Sequence, residues 1–177
     1  MISILALPFL ACIALTFIHV YFGSFVLKRG IIFVDLALAQ WAALGYLVGY
    51  WMGIESSIGL FLSGFSFTVI ASMILTILKP IYSQSNLQEA VIGVVYIGGI
   101  TIATALISTT GMEGHHLNDM LAGHLLFLQS SEVVSAYLLY GVIGISLIWC
   151  HKRFLKNASQ LWDFIFFTLF GLVVTSS

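Results

Sequence analysis

The chain has 177 residues, of which 60% are hydrophobic and 7% charged, with a net charge of −1 and a mean hydropathy of +1.10. A soluble domain carries about 25% charged residues, so seven acidic and six basic side chains are too few to solvate a globule of this size. A water-soluble fold is excluded, there is no basic footprint for nucleic acid, and an all-α polytopic transmembrane bundle is expected, because a backbone in lipid must close its own hydrogen bonds.

Six apolar segments are long enough, or nearly so, to cross roughly 30 Å of hydrocarbon. The first, Ile2 to Leu27, lacks a basic region ahead of it and outruns a signal-peptide core, so it is expected to be retained as a span. It carries His19, which reads as a donor to a neighbouring helix rather than a ligand. Haem held between helices would need a second buried histidine at matching depth, and no span offers one. Cys12 and Cys150 sit at different depths, which argues against a disulfide.

After Lys28-Arg29 comes the second segment, Gly30 to Ile54. It places Asp35 six residues beyond Arg29, roughly 9 Å along a helix. An intramembrane carboxylate usually faces a cavity, a partner or a substrate path; Asp35 either pairs with Arg29 or Lys28, or serves transport. Gln40 must also find a polar partner, and the two lie roughly 140° apart around an ideal helix, so they do not share a face. Gly45, Gly49 and Gly53 form overlapping small-xxx-small steps, a spacing that lets helix backbones approach closely in lipid. The break Glu55-Ser56 then predicts a tight hairpin into the third segment, Ser57 to Leu78.

The fourth segment, Ala90 to Ser108, follows the connection Lys79 to Glu89. The next connection, Thr109 to Glu132, holds the densest polar cluster, with Glu113, His115, His116, Asp119 and His124. Imidazole and carboxylate together suit zinc, manganese or ferrous iron, although no strict ligand spacing is present and a wet loop has the same composition. The fifth segment, Val133 to Cys150, leads into His151 to Gln160, whose Lys152, Arg153 and Lys156 either anchor helix ends on anionic lipid or dock a cytoplasmic partner. The sixth, Leu161 to Thr175, is the shortest. All the basic residues fall in the first, third and fifth connections, which marks that side as cytoplasmic and puts the N-terminus outside. No linker or charge block divides the chain, so residues 1–177 are expected to form one transmembrane domain.

Four strings, in order, resemble the permeases of the zinc, manganese and iron metal-uptake ABC transporter family. Val26 to Gly45 is similar to the second-helix signature of that family, where a basic pair precedes an aspartate and a histidine. Glu89-Ala90-Val91-Ile92-Gly93 resembles a later Glu-Ala-x-Ile-Gly segment. Leu121-Ala122-Gly123-His124-Leu125-Leu126 resembles an outer element, and Trp162 to Ser177 resembles the helix after the cytoplasmic coupling region. In this chain Gln40 replaces the family histidine and the aspartate is displaced by one residue, so the resemblance does not carry a metal identity with it. Family members also continue into further helices beyond the Val-Val-Thr-Ser-Ser stretch, and the chain is expected to be short of them.

The resemblance implies a multi-pass subunit of the bacterial inner membrane that pairs with a second permease copy, a cytoplasmic ABC ATPase and an extracytoplasmic metal-binding protein. A divalent metal would be cargo, with no tightly bound cofactor. The expected path residues are Asp35 and Gln40, the weak outer metal contacts Glu113, His115, His116, Asp119 and His124, and the ATPase-docking residues Lys152, Arg153 and Lys156. There is no phosphate-binding Gly-x-x-x-x-Gly-Lys-Ser/Thr loop, so ATP hydrolysis would fall to a separate subunit. The competing expectations are a non-transporting scaffold of a redox or assembly complex, or a truncated, inactive permease.

Overall fold

The computed structural model describes residues 2–83, 87–110, 130–156 and 159–177. Among these are six helices and no strand: α1 (Ile2–Arg29), α2 (Val34–Trp51), α3 (Ser57–Ser83), α4 (Gln88–Thr110), α5 (Ser130–Lys156) and α6 (Gln160–Ser176). Four of them, α1, α3, α4 and α5, are long and apolar enough to cross a membrane, and α6 is a shorter apolar helix of 17 residues. The protein is a helical membrane bundle.

Helix ends follow from local chemistry. At the end of α1, Gly30 adopts φ +64°, its N–H donating to the Leu27 carbonyl while the Ile31 N–H reaches back to Val26. Gly53 repeats the same pair of bonds after α2, with φ +79° and donation from Gly53 to Tyr50 and from Ile54 to Gly49. This is the glycine-terminated helix stop, which needs a left-handed residue that only glycine adopts without strain. Gly53 is therefore a helix terminator and not the third member of the expected packing face. Its stop, with Ser56 Oγ accepting from the Gly59 N–H at 3.2 Å, makes the α2–α3 turn longer than the expected two-residue break.

Cross-helix contacts give each helix a direction. Arg29 meets Asp163 and His19 meets Phe170, so α1 and α6 are antiparallel. Lys79 meets Asp163 and Thr68 meets Thr175, so α3 and α6 are antiparallel too. Tyr137 donates to the Leu10 carbonyl and Tyr21 to that of Leu147, which makes α1 and α5 parallel. Glu89 lies at the start of α2 while Trp41 donates to Val95, which makes α2 and α4 parallel. Helices thus alternate, and the ends of α1, α3 and α5 gather at one face of the bundle, called here the basic end.

The core is built where α6 is enclosed. Phe22 of α1 stacks on Phe170 of α6, centroids 4.7 Å apart and planes 9° apart, with Phe166 5.5 Å from Phe22; such ring pairs contribute about 0.5–1.5 kcal/mol beyond area burial. Between α2 and α3 the backbones nearly touch. A Cβ on Gly45 would lie 2.6 Å from the Ser63 carbonyl oxygen and 2.8 Å from the Gly64 Cα. Outward, Leu138, Val142, Ile145 and Trp149 of α5 and Ile58, Leu62, Met73 and Ile77 of α3 are exposed in stripes at helical spacing. Apolar stripes facing out, with Thr68, Ser72 and Thr76 buried, are the arrangement expected when the surrounding solvent is lipid.

Candidate functional site

Asp35 stands in the first turn of α2, since residues 30–33 form a turn rather than continuing the helix. It is half-buried and within electrostatic reach of His19 on α1. The Arg29 guanidinium, one of its expected partners, donates instead to Asp163 at 2.8 Å, and Lys28 lies over the Phe25 ring at 5.9 Å. His19 does not bridge helices by a hydrogen bond; its Nδ1 is 2.9 Å from the Leu15 carbonyl of its own helix, and its ring meets Phe170 edge-on. Gln40 faces α4, where a Cβ on Gly99 would come within 3.3 Å of the Gln40 Cβ. The structure therefore keeps Asp35 and Gln40 on different sides of α2, as their spacing predicts.

The basic end contains a charge centre that the apolar pattern concealed. Asp163, in the first turn of α6, is 2% exposed, and its two oxygens are divided between helices. One accepts from Arg29 at the end of α1, and the other from Lys79 near the end of α3. The Arg29 guanidinium also lies 4.7 Å above the Phe166 ring, almost one turn further along α6. A carboxylate this deep is stabilised only by partners; removing one side of such a buried pair costs about 3–5 kcal/mol. Sequence reasoning counted Asp35 and His19 as the ionisable groups inside spans and passed over Asp163. The available signal was an acid at the head of the sixth segment, on the same side as the basic ends of the first and third.

A second carboxylate works nearby. Glu89, opening α4, accepts from the backbone N–H of Ile32 at 2.6 Å and of Phe33 at 3.4 Å. Those donors lie just ahead of α2 and have no partner within a helix, and an anion there complements the dipole of α2. The segment carrying Asp35 is thus held on one side by Arg29, through Gly30, and on the other by Glu89.

At the opposite end, Tyr46 donates to the Thr175 carbonyl at 2.9 Å and Tyr140 to the Ser176 carbonyl at 3.4 Å, pinning the end of α6 to α2 and α5. A cavity of about 470 Å³ lies there, lined by Leu15, Tyr46, Phe61, Tyr140, Thr175 and Ser176 among others. It is walled by hydroxyls and apolar groups.

The expected metal contacts Glu113, His115, His116, Asp119 and His124 lie outside the described residues. Among the described residues, no three His, Cys, Asp or Glu side chains come together. Lys152, Arg153 and Lys156 are not in a loop as expected: α5 runs on to Lys156, so they occupy its last two turns, at the basic end with Arg29 and Lys79. The helix continues past its apolar part because nothing in His151 to Lys156 breaks it; no glycine or proline occurs there.

No curated protein and no solved structure matches the chain. A family model does, that of the ABC 3 transport family, over residues 1–159. Alternating apolar helices with their basic ends together suit a membrane permease, and with nine-tenths of its length matched the chain belongs to the ABC 3 transport family.

Proposed function

We propose that the chain is a permease subunit of an importer for a divalent metal ion, zinc, manganese or iron, in the bacterial inner membrane, driven by a separate cytoplasmic ATPase. The observation that carries the reading is the family match over residues 1–159 on an alternating helical bundle. Positively charged connections favour the cytoplasm, which puts the basic end inside and the N-terminus outside. Lys152, Arg153 and Lys156 then face the compartment that holds ATP, where they dock the ATPase. An extracytoplasmic binding protein delivers the ion, and a second permease copy completes the route. Asp35, a carboxylate suited to a hard or borderline cation, and Gln40, on another side of α2, are the candidate path residues, and Glu113, His115, His116, Asp119 and His124 form weak contacts at its mouth.

Purification from native membranes followed by mass spectrometry and elemental analysis tests this. An accompanying ABC ATPase, together with enrichment of one of the three metals in cells expressing the complex, is the expected result. A haem or flavin signal without any ATPase would instead favour a scaffold in a redox complex.

A further inference from the structure

Resting on the docking role just given to Lys152, Arg153 and Lys156, we propose that Asp163 is the positioning residue that transmits a displacement at the ATPase-docking end of α5 to α1 and α3, so that ATP hydrolysis becomes a change in the permease. Three features converge on it. α5 ends at Lys156 and α6 begins at Gln160, a connection that spans at most about 14 Å even when fully extended. The docking turns and the first turn of α6 cannot move independently over larger distances. Asp163 lies in that first turn, and its two oxygens are taken by different helices, Arg29 of α1 and Lys79 of α3.

The contact is also stiff. Arg29 grips α6 twice, through the Asp163 carboxylate and over the Phe166 ring at 4.7 Å. Asp163 is 2% exposed while its cations are 21% and 26% exposed. A buried charge has no water to replace a lost partner, so the contact is either made or broken, with little between. From Arg29 the path runs through Gly30, where the hydrogen-bonded stop with φ +64° fixes the turn that leads to Asp35. Motion handed to Arg29 therefore reaches the carboxylate proposed to meet the cargo.

The test uses the complex purified with its own ATPase and reconstituted in lipid vesicles, offered zinc, manganese and ferrous iron separately. Asp163→Asn keeps the shape and loses the charge. ATP hydrolysis is expected to stay within about twofold of wild type while ions taken up per ATP fall roughly tenfold, a coupling loss typical of linked sites; Asp163→Glu restores most of the ratio. An unchanged ratio in Asp163→Asn overturns the proposal, and so does a parallel fall of hydrolysis, uptake and melting temperature, which would mark a plain structural anchor. If Asp163→Asn does not fold, Lys79→Gln leaves a one-to-one pair with Arg29 and is expected to lower the same ratio; no change there overturns it equally. Absence of any ATPase with the wild-type chain removes the docking role and this proposal together, whereas an attached ATPase with an unaltered ratio removes the proposal alone.

Discussion

At Gly45 the neighbours of an added methyl are backbone atoms, the Ser63 carbonyl oxygen and the Gly64 Cα, whereas at Gly49 they are mainly the Ser63 side chain at 2.8 and 2.9 Å. A side chain can turn aside; a helix backbone cannot. Gly45→Ala is therefore expected to cost about 1–3 kcal/mol through forced separation of α2 and α3, more than Gly49→Ala. Gly93→Ala, on an open face of α4, should be neutral or stabilising by about 0.5–1 kcal/mol. Thermal unfolding in detergent checks the order, and equal melting temperatures for the Gly45 and Gly93 variants would reject it. The small-xxx-small spacing made the Gly45–Gly49 contact legible from sequence. It also drew in Gly53, because spacing cannot show where a helix stops. Gly64, on the facing helix, lies as close to its neighbours, with the Tyr46 ring 2.9 Å from its would-be Cβ. Asp163 escaped notice for a similar reason: a lone acid in an apolar run reveals its depth, but not which distant helix ends it meets.

The helices themselves were largely legible. Each expected span overlaps one observed helix, and the main departures are that α3 and α5 extend past their apolar parts to Ser83 and Lys156, while α2 is shorter at both ends, Val34–Trp51 within the expected Gly30 to Ile54. Hydropathy marks where lipid ends, while a helix ends where a breaker or a stop motif stands. The extension of α5 bears on orientation. A cysteine placed at Lys156, in a protein with Cys12 and Cys150 replaced by alanine, is expected to resist an impermeant thiol reagent in intact cells and to react after permeabilisation. Ready labelling in intact cells would invert the bundle and move the proposed docking face outside. Partner choice between helices was not legible, since a stripe tells that a face is buried and leaves open against what. That α6 packs on α3 through Gly171 and Thr68, 3.0 Å apart at the would-be Cβ, needed coordinates.

For the molecule as a whole, the histidines proposed for the mouth of the path offer a test of cargo entry. Replacing His115, His116 and His124 by alanine should raise the half-saturating metal concentration several-fold while folding is unchanged, because entrance contacts must bind loosely enough to release. Unchanged concentration dependence at pH 7 would leave that segment as a plain connector. The seam between α3 and α6 carries a different consequence. Thr68, Ser72 and Thr76 each donate to a carbonyl of their own helix, and so does Thr175; between the two helices these hydroxyls share a single long contact, Thr175 to Thr68 at 3.5 Å. Polar side chains thus line the seam without stitching it. Close packing, with Thr68 3.0 Å from a would-be Cβ on Gly171, therefore holds this seam where a ladder of hydrogen bonds does not. The polar fastenings of α6 to other helices sit instead towards its two ends, at Asp163 on one side and with Tyr46 and Tyr140 on the other, so its middle is held by shape rather than by bonds.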